Sequence, residues 1–342
     1  MSANPIATEP PELKSSLPPR TRSILDRVGA QNLILLAAIV VLSTYLSINN
    51  PMFLSASNLI IIAQAVTIVG LLAVVQTVVM IMGGIDLTVG SCAGLASVFS
   101  AMVFTWTSSS GIGILAALLL GAICGLINAL VIVWGRIPPM IATLAGFTAF
   151  KGVAQLISNG RAQGYTGKDF LFKALAQGSL LGIPTLVWVL ILTAVLIHVV
   201  LRFTKIGRNI YAVGGNDRAA RLSGIDINRY IIGVFMLSGV VTAIAGILIT
   251  ARTGSGQPVS GSEGLEFQSI TAAALGGVAL RGGKGTIGGT ILAVLLLGIL
   301  LNGMVLLNVN TFWQNIAQGT LLVVAVVLQQ LRSGEQRVGL PK

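Results

Sequence analysis

Residues 28–85 read VGAQNLILLAAIVVLSTYLSINNPMFLSASNLIIIAQAVTIVGLLAVVQTVVMIMGGI, a run without one acidic or basic side chain. At about 20 residues per bilayer-crossing helix the run holds two crossings, and Asn49-Asn50-Pro51 supplies the turn between them. Apolar stretches of this length satisfy their backbone hydrogen bonds internally only as helices. Two further charge-free runs, 87–135 and 285–331, are each long enough for another pair. The alternating ten-residue segments of a membrane barrel are absent. Composition points the same way: 9% of the 342 residues are charged and 54% apolar, with mean hydropathy +0.91. A soluble protein carries about 25% charged residues. So few charges cannot cover a soluble surface.

Working outward, spans are expected at 31–49, 58–82, 87–107, 111–135, 139–158, 184–203, 230–251, 266–280, 285–309 and 311–331. The fold class is therefore all-α, a polytopic membrane protein of about ten transmembrane helices. The span at 266–280 is short and Gly-rich, which predicts a broken or re-entrant segment. Ten spans put both termini on one side, and Lys/Arg asymmetry sets which side. With cytoplasmic termini, 16 of the 21 Lys and Arg fall inside, leaving Lys151, Arg161, Lys168, Lys173 and Arg252 outside. An odd number of spans would scramble that split. The net charge of +11 thus reads as topology, and the clustered basic footprint of a nucleic-acid binder is not implied. Residues 1–30, Pro-rich and charged, read as a disordered cytoplasmic tail, 31–331 as the transmembrane domain and 332–342 as a second tail. The apolar run at 31–48 exceeds the about 7–15 residues of a signal-peptide core and no small-x-small cleavage site follows, so it reads as the first span.

Patterns that suggest an enzyme fail on inspection. Gly111-Ile-Gly113-Ile-Leu-Ala116 spells a dinucleotide fingerprint but lacks a preceding strand and an acid to hold a ribose. Arg281-Gly-Gly283-Lys284-Gly285 resembles a phosphate loop, yet Val278 and Gly285 stand where that loop needs Gly and Ser or Thr. No cofactor is expected on this chain. His198, the sole histidine, has no partners at metal-ligand spacing. Cys92 and Cys124 lie inside apolar spans without CxxC spacing and read as small buried residues.

The longest inner loop, 204–229, carries more information. Gly214-Gly215 forms a turn, Asn216 is a good N-cap and Asp217 suits a first helical turn. Arg218 to Ser223 then make a short helix that Gly224 stops as a left-handed C-cap. Ala219 and Ala220 leave its backbone approachable, while Arg218 and Arg221 offer charge. A helix that seats in a partner's cleft and a solvated positive-inside loop both fit these residues.

A second motif, Gly83-Gly84-Ile85-Asp86-Leu87-Thr88-Val89-Gly90-Ser91, holds the only acid between residues 27 and 168. An ionisable group at membrane depth is costly and points to function. Asp86 fits a helix cap, a structural brace or a solute contact. Gly276-Gly277-Val278-Ala279-Leu280-Arg281-Gly282-Gly283 echoes it 193 residues later, with two glycines, a leucine and a third glycine in step. Small-xxx-small pairs at Gly90/Gly94, Gly121/Gly125 and Gly285/Gly289 allow close helix approach. Asn128, Asn302, Gln64 and Gln76 lie within spans, where each can line a pathway or bond to a neighbouring helix.

Residues 83–91, Gly207-Arg-Asn-Ile-Tyr-Ala-Val-Gly-Gly-Asn216 with Ala219 to Ile225, and Gly282-Gly-Lys-Gly285 together resemble bacterial ABC-importer permeases of the ribose/monosaccharide type. A more distant likeness is to branched-chain amino-acid permeases. The resemblance implies a multi-pass permease subunit of the bacterial cytoplasmic membrane, importing a monosaccharide or similar neutral polyol. It implies partners: ATPase subunits that bind ATP and Mg, a periplasmic sugar-binding protein, and a second permease, in a homodimer or a heterodimer. Carried over, 216–225 is the coupling helix, with Asn216, Asp217, Arg218, Ala219, Ala220, Arg221 and Gly224 meeting the ATPase. Gly83, Gly84, Asp86, Gly90, Asn128, Gly276, Gly277 and Asn302 are candidates for translocation or gating. Gln257-Pro258 and Glu266 keep the family's pattern, whereas Phe267-Gln268-Ser269 replaces Leu-acid-Ala and Arg281 stands where a small or apolar residue is usual. Two alternatives stay open: another small solute, such as a branched-chain amino acid or nucleoside, and an ATP-independent secondary transporter. The latter needs an intramembrane ion relay, for which the spans offer Asp86 and Lys151.

Overall fold

A computed structural model describes residues 30–164, 169–259 and 262–333. Of the expected tails at 1–30 and 332–342, residues 1–29 and 334–342 lie outside the described residues, as does Lys168. Thirteen helices follow in order: α1 (Ala30–Asn49), α2 (Ala56–Ile81), α3 (Val89–Thr107), α4 (Ser110–Gly135), α5 (Pro139–Ser158), α6 (Phe170–Gln177), α7 (Thr185–Phe203), α8 (Lys205–Gly215), α9 (Asp217–Leu222), α10 (Ile227–Thr253), α11 (Leu265–Leu275), α12 (Ile287–Leu306) and α13 (Thr311–Ser333). Eight of them, α1–α5, α7, α10 and α12, are long and apolar enough to cross a membrane. The chain is a helical, multi-pass membrane protein.

The other two expected spans fall on α11, with 11 residues, and α13, whose apolar part is Thr311–Val327. Two features between α5 and α7 were not foreseen. Asp169 accepts from the Leu171 and Phe172 N–H groups (2.9 and 3.0 Å) and so starts α6. A small antiparallel pair, β1 (Ser179–Leu180) and β2 (Ile183–Pro184), follows it.

α2, α3 and α10 form the buried heart of the bundle, while α1 and α5 stand at its rim. Close packing of α4 on α10 depends on missing side chains. A Cβ on Gly121 would land on the Gly239 carbonyl, and one on Gly125 on the Phe235 carbonyl. The Gly121/Gly125 pair thus makes the close helix contact its spacing predicts. Gly90 and Gly94 serve another end. Added Cβ atoms there would meet Glu266, Ser262 and the Pro258 carbonyl, so this face of α3 is covered by the start of α11 and the non-helical chain that leads into it.

That chain descends along α3. Gly256 pairs with Gln163 (2.8 and 2.9 Å) and packs beside Ser97 and Ala101. Gln257 N–H donates to Ser97 Oγ at 3.0 Å, Pro258 reaches Gly94, and Ser262 reaches Gly90. From Ala101 to Gly90 is a drop of about 16 Å at 1.5 Å per helical residue. The chain that precedes the expected crossing at 266–280 therefore already lies at depth, and α11 begins there with only 11 residues. Irregular backbone at this depth is tolerated only when protein buries it or water reaches it.

Candidate functional site

α8 and α9 carry the first group of predicted residues, at one end of the bundle. Thr204 Oγ1 accepts from Gly207 N–H at 3.2 Å and opens α8. Asn216 ends α8 and caps α9, its Oδ1 accepting from Ala219 N–H at 3.0 Å. Asp217 Oδ1 accepts from Arg218 N–H at 2.9 Å. The exit is a left-handed turn: Gly224 has φ +81°, its N–H donates to Arg221 O at 3.0 Å, and Ile225 N–H donates to Ala220 O at 3.1 Å. Both orphan carbonyls of the last turn are thus satisfied.

Asp217, Arg218, Ala219 and Arg221 are exposed, whereas Ala220 turns inward and is buried. Only one of the two alanines is therefore presented outward. Leu222 is 91% exposed, a bare apolar side chain between two arginines and a turn. Sequence reasoning passed over it, although a leucine in an otherwise polar loop was the available signal. The outward face of α9 combines charge with one apolar knob, the makings of a docking surface.

The second group lies directly behind α9, where three glycine pairs meet. A Cβ on Gly214 would land on the Ile81 carbonyl and within 2.8 Å of the Gly283 nitrogen. One on Gly282 would come within 2.7 Å of Gly214 O and 2.9 Å of Gly83 Cα. Gly283 N–H donates to Ile81 O at 2.7 Å. Gly83, Gly282 and Gly283 all hold positive φ (+93°, +92° and +74°), which other residues adopt only under strain. Tyr211 of α8 adds a strap, its hydroxyl donating to Gly285 O at 2.8 Å, and burial pushes that phenol above its usual range. Asn209 donates to Tyr230 Oη at 2.6 Å, tying α8 to α10. Main chain touches main chain at this joint.

Gly84 packs on Val79 within the same turn. Gly276 presses on Thr290 and Gly289 of α12, and Gly277 (φ +91°) on Gln31 of α1, whose side chain donates to Leu275 O at 2.7 Å. Gly83 and Gly277 end their helices identically. Gly83 and Gly84 donate to Met80 O and Val79 O, and Gly277 and Val278 to Ala274 O and Ala273 O, all at 2.9–3.0 Å.

From Gly83 the chain runs back into the bundle to Asp86, which is 3% exposed. Its Oδ1 accepts from Thr88 N–H (2.9 Å) and Thr88 Oγ1 (2.5 Å), and its Oδ2 from Ser238 Oγ (2.6 Å) on α10. Asn128 of α4 donates to Thr88 Oγ1 at 2.9 Å. With its amide suitably oriented, Gln76 of α2 bonds both the Asp86 carbonyl (3.1 Å) and its N–H (3.3 Å). Asp86 sits outside the α3 cap position, which Thr88 occupies. The carboxylate itself ties the start of α3 to α10, and α2 and α4 join through the Asp86 backbone and Thr88. Asn128 belongs to this cluster, Gly90 faces Glu266 and Ser262 instead, and Asn302 lies elsewhere in a reciprocal amide pair with Asn58 (2.8 and 3.0 Å).

Among the described residues no group of three or more His, Cys, Asp or Glu is placed to hold a metal ion. His198 stacks edge-on against Phe203 at 6.5 Å, and Cys92 and Cys124 are buried free thiols. A groove of about 500 Å³ between α7, α8 and α10 has only Arg229 and Tyr230 as polar lining.

The sequence pattern of the family described as "branched-chain amino acid transport system / permease component" matches residues 58–326. The chain is 37% identical to the ribose import permease protein of Escherichia coli K12 over 295 residues, covering 86% of this chain and 92% of that one. It is 37% identical to the ribose import permease protein of Bacillus subtilis over 297 residues, 86% and 91% of the two chains. The L-arabinose ABC transporter permease of Azospirillum brasilense is 36% identical over 333 residues, 97% of each. No solved structure matches.

Proposed function

Because the chain belongs to the branched-chain amino acid transport system permease family, we propose that it is the membrane permease subunit of an ATP-binding-cassette importer for a monosaccharide. It is a transport component and not an enzyme. Relatives whose names carry ribose and arabinose transport cover most of both chains, which supports a pentose or similar neutral polyol as cargo. Ten crossings with both termini in the cytoplasm of a bacterial inner membrane fit the sixteen-to-five split of basic residues. On that orientation α9 projects into the cytoplasm.

The observation that carries the mechanism is the backbone joint behind α9. Partner ATPases, holding ATP and Mg, would dock on Arg218, Arg221 and Leu222. Their closure on ATP would displace α8 and α9 together. Gly214 would pass that displacement to Ile81 and Gly283, and so to the turns that lead into α3 and α12. A sugar-binding protein on the far side and a second permease complete the expected assembly. Rigid-body rocking about packed contacts is the general form of such switching. Asp86, with both oxygens occupied by Thr88 and Ser238, supports a brace rather than an ion relay.

Copurification with a cognate ABC ATPase, together with sugar uptake in reconstituted vesicles, tests this reading. Arg218→Glu with Arg221→Glu is expected to abolish both while leaving the permease folded, since both side chains are exposed. Intact ATPase binding would overturn the docking assignment.

A further inference from the structure

One exposed charge sits where lipid cannot meet it. Glu263 accepts from Lys151 Nζ at 3.2 Å, and its side chain is 71% exposed. The next residue but two, Glu266, lies against Gly90 near the start of α3, and Ser262 reaches the same glycine. The pair is therefore deep in the slab, well below the far end of α3 at Thr107. Lys151 agrees, being the thirteenth of 20 residues in α5, about 10 Å from that helix's far end at 1.5 Å per residue. A carboxylate exposed at that depth belongs against water or protein, because charge facing hydrocarbon is costly and intramembrane charges turn to cavities. An aqueous passage with this face of α5 and the descending chain as its wall would supply that water.

Three more groups give the wall its chemistry. Glu266 is 3% exposed and its Oε2 accepts no hydrogen bond among the described residues. Gly90 keeps that oxygen clear, since any Cβ there would strike it. Phe147 lies one turn before Lys151, whose ammonium sits 5.9 Å from the ring centre. Phe267, four residues after Glu263, is 54% exposed. Carboxylates that accept from hydroxyls, an ammonium that donates, and aromatic faces for C–H surfaces suit a neutral sugar.

Resting on the importer reading above, we propose that Lys151, Glu263 and Glu266, flanked by Phe147 and Phe267, form a hydroxyl-binding site for a monosaccharide in the pathway wall. Two arms test it in vesicles holding the full importer. In the first, Glu263→Cys and Leu192→Cys (the latter exposed on α7) are treated with a charged, membrane-impermeant thiol reagent; native Cys92 and Cys124 are buried. Labelling at 263 and none at 192 is expected, and an unreactive 263 overturns the aqueous wall. In the second, Glu263→Gln is expected to lower sugar uptake about tenfold to a hundredfold, the loss of a hydrogen bond to charge, and the swap Lys151→Glu with Glu263→Lys not to restore it. Unchanged uptake, or full rescue by the swap, reduces the pair to a structural bridge and overturns the site. A wild-type importer inert toward pentoses and hexoses overturns the sugar reading instead, and the labelling arm then still decides the wall.

Discussion

Gly214→Ala is the sharpest test of the joint behind α9, because its neighbour is a built-in control. The added methyl would fall on the Ile81 carbonyl and beside the Gly283 nitrogen, both backbone atoms that cannot rotate away. Overpacking of this kind costs about 1–3 kcal/mol. The Gly283 N–H to Ile81 O bond (2.7 Å) lies in the path of any relief, and losing a buried pair costs about 1–3 kcal/mol more. The total is of order 2–6 kcal/mol, where each 1.4 kcal/mol is about tenfold in an equilibrium. Gly215→Ala places its methyl in space with nothing within 4 Å and gains up to about 1 kcal/mol of helix propensity. Half-life of the detergent-solubilised permease at fixed temperature, and sugar transported per ATP hydrolysed in vesicles, are the measurements. Gly214→Ala is expected to shorten the first and depress the second, and Gly215→Ala to match wild type or exceed it. Equal behaviour of the two variants would refute the backbone joint.

Other substitutions follow from the same geometry. Asp86→Ala removes the acceptor for Thr88 and Ser238 and should destabilise by about 3–5 kcal/mol, whereas Ser238→Ala should cost about 1–3 kcal/mol; parallel thermal melts compare them, and equal costs would deny Asp86 its brace. Gly121→Val drives a branched side chain into the Gly239 carbonyl and should abolish accumulation of folded permease in membranes, while Gly152→Ala, with nothing within 4 Å, should accumulate normally. Gly224→Ala forces a side chain onto φ +81°, a penalty of about 1–2 kcal/mol. It should weaken ATPase copurification without altering the bundle's thermal stability, and undiminished binding would show that α9 does not need its cap.

Charge absence, Lys/Arg asymmetry and cap chemistry placed most helices within a few residues, since each is a local demand of lipid or backbone. Asn216 and Gly224 were legible as the ends of α9 for the same reason. Asp86 stood out as a lone acid, but Ser238, its partner, is an ordinary serine in mid-helix with nothing in its neighbourhood to mark it. The glycine echo was legible only in part. In-step letters pair Gly83 with Gly276, yet matching conformations pair Gly83 with Gly277, because what recurs is a helix-ending turn and its register is set by φ. Convergence of the Gly83, Gly214 and Gly282 pairs is a long-range fact that no local pattern encodes. The stretch 252–265 falls between two expected spans, and its polar, Gly-rich letters say nothing of where it runs. Only contact with Gly90 and Gly94 gives its depth.

The joint behind α9 has a consequence for how such a machine can change over time. Rotamers supply most of the slack between packed helices, and a contact between bare peptide groups has none, so its compliance is that of the main chain. What α9 shows to a partner is the reverse: Arg218, Arg221 and Leu222 extend freely into solvent. Recognition and transmission are thereby written in different alphabets, one in side chains and one in their omission. On the docking proposed above, a lineage would exchange its motor subunit by rewriting three outward letters while the linkage behind them runs unchanged.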